Sequence, residues 1–550
     1  MPPPPPFSRR ACGILLHPTS IPGRSWCGDL GESARRFVDF LQAAGQSYWQ
    51  TLPLGPPGYR DTPYQALSAI AGNDQLIALE PLAALGLLEV DDSALTGPLS
   101  HERRHEALQR AWERLHGAGS GGGGAGFGGA GGGAAAAAAS VGRLVEEFQA
   151  FCERERAWLD DYALFASLKD AHGGRPWRRW PAPLRRRDPA ALASARTLLV
   201  REIDFHQFRQ WLFRRQWAEL RTYARERGIA MIGDAPIFVA LDSADAWSHP
   251  SLFLLDAESR PLEVAGVPPD YFSADGQLWG NPIYDWEAMR AEGFAWWVAR
   301  MQATLSLCDA VRLDHFIGFH RNWAVPAHAK TAREGRWISA PGRELLETLR
   351  RSLGGLPIIA EDLGFLIDEV RALRDDFGLP GMKVLQFAFS GGPGVENDHL
   401  PHTFPPRCIV YTGTHDNDTT VGWWRRKPKS RAATGAATGA ATPAPAPADS
   451  ARAKESREIA REHAFAKAYL GFSGTGRKIH WDLIRCAYAS VADTAIVPLQ
   501  DVLGLGSKAR MNKPGVEKGN WQWRYDPSSL SDPLRERLRT LAATYGRVAS

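Results

Sequence analysis

Carboxylates stand where apolar runs stop. Ala230-Met231-Ile232-Gly233 runs into Asp234, Ala310-Val311 into Arg312-Leu313-Asp314-His315, and Ile358-Ile359-Ala360 into Glu361-Asp362. A fourth run, Cys408-Ile409-Val410-Tyr411, leads to Thr414-His415-Asp416-Asn417-Asp418. Any one such Asp or Asn is as readily the cap of a following helix, because its side-chain oxygen accepts the free amides of a first helical turn. A set converging on one face is better read as a site. Carboxylates without a His/Cys cluster at metal-ligand spacing suit reactions that need one nucleophile and one proton donor, and glycoside cleavage is the leading case. One carboxyl must then be ionised and the other protonated, so their surroundings must push the two pKa values apart. Arg312 falls two residues before Asp314, on the same side of an extended strand, where it would keep Asp314 ionised or form a purely structural ion pair.

The elements that must position these groups are short apolar or β-branched runs. They occur at Gly13–His17, Tyr48–Leu52, Ala230–Asp234, Ala310–Asp314, Leu356–Glu361, Met382–Phe387, Cys408–Tyr411 and Ala495–Gln500. Helical patterns accompany them at Ala34–Ala44, Val141–Tyr162, Asp204–Arg227, Glu287–Leu307, Gly342–Leu353 and Asp368–Phe377. Buried strands alternating with helices predict an α/β fold, a (β/α)8 TIM barrel in one catalytic unit over 1–550, with a doubly wound open sheet as the second arrangement. In such barrels the active site lies at the C-terminal ends of the strands, which is where the carboxylates stand.

A minimal barrel takes about 250 residues, so the surplus falls in loops. A mainly helical insertion is expected at 66–228 between strands two and three, another at 240–305 after strand three, and no separate C-terminal β domain. Residues 117–140 and 430–448 are mostly Gly, Ala, Thr and Pro and offer little to a core, so both read as flexible low-complexity segments. The Ala run at 134–139 alone suits extension of the helix that follows.

Composition narrows the ligand. With 44% hydrophobic and 23% charged residues the chain is an ordinary globular one, not a disordered one. Lys and Arg number 65 against 61 Asp and Glu, so no strong field recommends nucleic acid or an anionic membrane, and a neutral ligand fits better. No apolar run approaches the roughly 18 residues of a membrane span, and no apolar signal segment opens the chain. Six scattered cysteines suggest neither a disulfide framework nor a zinc site, and a reducing cytoplasm is the simplest setting. The 20 Trp against 12 Tyr offer flat faces that stack on sugars, nucleobases or quinones, or else fill a Trp-rich core.

An ordered set of short motifs then resembles the 4-α-glucanotransferases, the amylomaltases or disproportionating enzymes of glycoside hydrolase family 77 in the α-amylase clan. It covers nearly the whole chain. It opens with Gly13-Ile14-Leu15-Leu16-His17-Pro18-Thr19-Ser20 and Gly28-Asp29-Leu30-Gly31, then Pro63-Tyr64-Gln65 and Ile232-Gly233-Asp234-Ala235-Pro236. Pro268-Pro269-Asp270-Tyr271-Phe272 and Gln277-Leu278-Trp279-Gly280-Asn281-Pro282 follow. The last third adds Ala360-Glu361-Asp362-Leu363-Gly364, Thr414-His415-Asp416-Asn417-Asp418, Pro498-Leu499-Gln500-Asp501 and Ala509-Arg510-Met511-Asn512.

Residue by residue, the resemblance implies Asp314 as nucleophile, Glu361 as general acid and then base, and Asp416 as the carboxylate that stabilises the transition state through sugar hydroxyls. It places Arg312, His415 and Asp234 on the reacting glucose and Tyr64 stacked beneath it. Asp270, Tyr271, Phe272, Trp279 and Asn281 would line a loop embracing the glucan, with Gln500 and Asn512 further contacts. His17 reads more simply as a hydrogen-bonded histidine at a strand end. Many members read Asp-His-Phe-Arg-Gly-Phe-Glu after the nucleophile, whereas this chain has Ile317 and His320 at the Arg and Glu positions, with Arg321 the nearest replacement.

The implied activity is transfer of α-1,4-glucan segments to the 4-hydroxyl of a glucose or glucan acceptor, through a covalent glucosyl-enzyme and with retention of configuration. Its partners are α-1,4-glucans, maltooligosaccharides and glucose, with no cofactor, no metal, no nucleic acid and no membrane. An α-glucan hydrolase would share every catalytic residue, and a glucan-binding scaffold without turnover is the alternative from another class.

Overall fold

The computed structural model describes residues 7, 9–119, 132–269, 275–364, 367–427, 447–472, 476 and 478–548. Twelve strands are formed among them: β1 Ala11–Leu15, β2 Tyr48–Gln50, β3 Ala230–Pro236, β4 Glu263–Val267, β5 Gln277–Pro282, β6 Ala310–Asp314, β7 Arg321–Pro326, β8 Arg336–Ser339, β9 Ile358–Ala360, β10 Gly381–Val384, β11 Cys408–Tyr411 and β12 Thr494–Pro498. Eight of them close a barrel in the order β1-β12-β11-β10-β9-β6-β3-β2, every pair parallel. These are the eight apolar runs expected, in a (β/α)8 TIM barrel.

Both faces of the barrel wall are buried, which is why its strands read as continuous apolar runs instead of alternating ones. Ala11, Leu15, Tyr48, Ile232, Ala310, Ile359, Met382, Val384, Ile409, Tyr411 and Ile496 fill the interior. Their neighbours Cys12, Ile14, Trp49, Met231, Val311, Leu313, Ile358, Ala360, Val410 and Val497 pack outward in the large core shared with the helices. Gly13 has a steric reason, since a Cβ there would sit 2.5 Å from that of Tyr48 on the neighbouring strand.

The second sheet was not expected. β5-β4-β7-β8 form an antiparallel sheet from two separate loops, one after β3 and one after β6. The helix expected over Glu287–Leu307 is two, Trp286–Ala291 and Ala295–Leu307, because Gly293 and Phe294 both take left-handed backbone angles that end one helix and start the next. Between β2 and β3 the chain is largely helical, with long helices at His101–Gly119, Gly132–Ala171 and Val200–Glu226. Of the low-complexity stretches, 120–131 and 428–446 lie outside the described residues, while the Ala run at 134–139 belongs to the helix that starts at Gly132. No described helix is long and apolar enough to cross a membrane.

Candidate active site

Period-2 alternation carries the buried interior up to the reacting end of the barrel. The parity that turns Ile232 inward turns Asp234 inward, that of Ala310 carries Arg312 and Asp314, and that of Ile359 carries Glu361. Register does the rest: Asp234 on β3 is the lateral partner of Arg312 on β6.

Arg312 Nη1 donates to both oxygens of Asp234, at 2.9 and 2.8 Å, and Nη2 donates to Asp314 Oδ1 at 2.6 Å. The Tyr64 hydroxyl, on the loop after β2, donates to Asp234 Oδ2 at 2.8 Å. One guanidinium therefore orients two carboxylates from two strands, a geometry that needs the planar fork of Arg. Burial opposes the charge on Arg312, but Asp234 and Asp314 hold its pKa well above the usual value. Burial pushes the Asp234 carboxyl up, to about 7, against the pull of Arg312. Removing one partner of such a buried pair typically costs about 3–5 kcal/mol, because the other charge is left uncompensated.

Glu361 has different surroundings. Its Oε2 accepts the His315 amide at 2.7 Å and its Oε1 the Leu363 amide at 3.0 Å. Burial nevertheless pushes its pKa up to about 8, Arg312 pulling it down and Asp314 adding to the rise. Asp314 and Glu361 thus differ in the way acid–base work needs, one bonded to a guanidinium and the other buried with a carboxyl that keeps its proton at neutral pH.

A fourth carboxylate comes from the loop after β11. Asp416 accepts from Asn512 Nδ2 at 2.6 Å and lies 3.4 Å from His415 Nε2. Burial lowers the His415 pKa, and its ring stacks on Tyr64 with centroids 5.0 Å apart. Trp279 meets the His315 ring edge-on at 4.7 Å, next to Asp314 in the chain. A cavity of about 70 Å³ is lined by Tyr64, Asp234 and Phe238 and runs back to Arg300 and Cys308.

The expected residues are not all placed alike. Tyr64, Asp234, Arg312, Asp314, Glu361, His415, Asp416, Trp279 and Asn512 are drawn to the barrel mouth by the contacts above. Gln500 is buried and lines a smaller cavity with His17 and His415. Asn281 is buried too, its Nδ2 donating to the Val239 carbonyl at 2.8 Å and its Oδ1 accepting from Gln65 at 3.0 Å, so both ends of its amide are engaged by protein. Asp270, Tyr271 and Phe272 lie outside the described residues.

One expectation needs correction. His17 is buried, but its Nδ1 finds no hydrogen-bond partner, and burial lowers its pKa to about 3. Arg321 is on β7, where its guanidinium lies 4.1 Å from the centre of the Trp337 ring, and Ile317 is a core residue. Sequence reasoning also passed over Trp521, within 5.9 Å of Tyr64 and 6.0 Å of His415, and Arg510, which donates to the main-chain carbonyls of Asp416 and Asn512. Arg510 stood inside a quoted motif, whereas Trp521 was one Trp among 20 with no spacing to mark it. Among the described residues no three His, Cys, Asp or Glu side chains group as metal ligands.

Comparison with known proteins bears on this geometry. The family model described as 4-alpha-glucanotransferase matches residues 16–529. The 4-alpha-glucanotransferase of Thermus thermophilus is 48% identical, covering 98% of this chain and 99% of the relative. That of Synechocystis sp. is 44% identical over 98% and 99%. The chloroplastic/amyloplastic enzyme of Solanum tuberosum is 41% identical over 99% and 87%. Among solved structures, the amylomaltase of Streptococcus agalactiae in complex with acarbose superimposes with a TM-score of 0.85 at 34% identity, covering 98% of this chain and 100% of that one.

Proposed function

The chain belongs to the 4-alpha-glucanotransferase family, glycoside hydrolase family 77, and from that premise we propose how its own residues perform the transfer. An Asp314 oxygen bonds to the anomeric carbon of an α-1,4-glucan as the bond to the departing 4-oxygen breaks. That oxygen keeps the electron pair and takes the proton of Glu361. In the second half, the acceptor's 4-hydroxyl attacks the same carbon, its proton passes to Glu361, and the bond to Asp314 breaks. Two inversions leave the α configuration retained. Asp416 stabilises the positive charge that develops on the ring in both halves, through the sugar hydroxyls. Tyr64 stacks beneath the glucose, and Arg312, His415 and Asp234 hold it. We assign further glucan contacts to Trp279, Asn281, Gln500 and Asn512, and, by family resemblance, to Asp270, Tyr271 and Phe272, which lie outside the described residues.

The observation that carries this reading is the contrast between the two carboxyls, Asp314 at 2.6 Å from the Arg312 guanidinium and Glu361 raised to about 8 by burial. Substrates are α-1,4-glucans, maltooligosaccharides and glucose, in keeping with the acarbose complex of the streptococcal relative. The family and the relatives favour neither the hydrolase nor the inactive scaffold. A cytoplasmic setting is supported by six cysteines that are all free.

The test uses α-glucosyl fluoride, whose leaving group needs little protonation. Glu361→Gln should release fluoride in its first turnover while failing on maltooligosaccharides, and Asp314→Asn should fail on both. The opposite pattern would exchange the two roles.

A further inference from the structure

We propose that His315 is a positioning residue, whose left-handed backbone turns two consecutive amides onto Glu361 and so fixes the acid/base carboxyl beside the nucleophile. The proposal rests on the reading of Glu361 as acid and base. In an extended strand successive amides point to opposite sides, so a strand end gives a neighbour only every second one. β6 ends at Asp314, and His315 follows with φ 56° and ψ 54°. That turn brings the Phe316 amide, which donates to the Glu361 main-chain carbonyl at 2.9 Å, to the same side as the His315 amide, which donates to Glu361 Oε2 at 2.7 Å. One amide thus holds the Glu361 side chain and the next its main chain. The Glu361 amide donates in return to the Leu313 carbonyl at 3.0 Å, so Glu361 is tied to residues on both sides of Asp314.

The left-handed region is seldom occupied by residues with a Cβ, though Gly enters it freely and Asn more readily than most. At residue 315 it is held by packing. The imidazole meets the Trp279 ring edge-on at 4.7 Å. Burial pushes the imidazole pKa down to about 4, so at neutral pH the ring adds no charge near Asp314. Its contribution is to hold a backbone shape.

Substitutions should therefore rank by tolerance of the left-handed region and not by kinship to histidine. His315→Asn should keep kcat on maltotriose within about tenfold of the parent, whereas His315→Val, whose branched Cβ disfavours that region, should lose about a hundredfold or more with little change in KM. First-turnover fluoride release from α-glucosyl fluoride should stay near the parent's in both, because that step does not use the acid. If His315→Val does not fold, His315→Ala against His315→Asn makes the same comparison, since both side chains are small and only Asn suits the left-handed turn. The proposal is overturned if Asn falls as far as Val or Ala, which would make the imidazole itself the requirement. It is equally overturned if fluoride release falls in step with transfer, which would mean that the nucleophile has moved as well. Glu361→Gln run alongside separates the two levels. Should it lose fluoride release together with transfer, the acid assignment itself fails, whatever the His315 series shows.

Discussion

Glu361 must carry its proton to act as an acid, and burial raises its pKa to about 8. The sign follows directly: the working form is populated below that value and lost as pH rises through it. The kcat/KM profile on a maltooligosaccharide should therefore hold through neutral pH and fall with an apparent pKa near 8, a value belonging to the coupled carboxyls together. A profile flat well into the alkaline range would remove Glu361 from the role. Arg312 supports a second expectation, because one nitrogen serves both oxygens of Asp234 and the other serves Asp314. Lysine offers a single point charge, so Arg312→Lys should lower kcat/KM about a hundredfold or more by letting Asp314 drift from its attacking position. Steady-state kinetics on maltotriose would read this, with circular dichroism confirming an intact fold.

At the scale of elements, β9 is held at its reacting end by more than a ladder. It pairs with β10 only through Ala360 and Gly381, and beyond that point the Asp362 side chain takes over, its Oδ1 accepting the Met382 amide at 2.7 Å. Arg374, from the helix Asp368–Asp376, balances the charge of Asp362. The arrangement leaves no room at residue 381, where a Cβ would come within 2.3 Å of Asp362 Oδ2. Gly381→Ala should thus cost about 1–3 kcal/mol through overpacking and should also depress kcat, since Glu361 immediately precedes the displaced Asp362. Thermal melting and kinetics on the same sample would show both effects, and a melting temperature equal to the parent's would contradict the crowding.

For the whole molecule, closure of the barrel depends on β1 meeting β12, and the seam is plugged by one arginine. Arg547 is fully buried without a carboxylate among its hydrogen-bond partners. It donates to the carbonyls of Tyr488 at 2.8 Å, Ala11 at 2.8 Å and Ala492 at 2.9 Å, with longer bonds to Asp493, Ser490 and Ala487. Ala487, Tyr488 and Ser490 lie at the C-terminal end of the helix Ile479–Ala489, where a cation is favoured, and Arg10 also donates to Tyr488 and Ser490. Arg547→Met fills a similar volume but removes six hydrogen bonds, and although Tyr488 and Ser490 keep Arg10 and Asp493 keeps the Ala11 amide, about 1–3 kcal/mol of stability should be lost, with kcat of the folded fraction unchanged. Transfer itself is tested on maltotriose. Each bond cut is reformed on another sugar, so glucose and a ladder of longer maltooligosaccharides should appear at a nearly constant count of reducing ends. A count rising with substrate loss would favour hydrolysis.

The barrel and its carboxylates could be read from residue order alone. Strands buried on both faces must be unbroken apolar runs, and period-2 parity then carries Asp234, Arg312, Asp314 and Glu361 inward wherever such a run ends in charge. Ordered motifs were enough to mark the family. Features that join residues far apart in the chain emerge on folding. The antiparallel sheet pairs β4 with β7 across two loops, and its short strands, broken by Gly and Pro, carry no pattern of their own. Trp521 reaches Tyr64 and His415, and Arg510 reaches Asp416, only because the barrel closes. The different surroundings of Asp314 and Glu361 are of the same kind, since both are carboxyls at strand ends and local sequence makes them equivalent. Burial and the reach of a single guanidinium separate them, and neither exists until the barrel is folded.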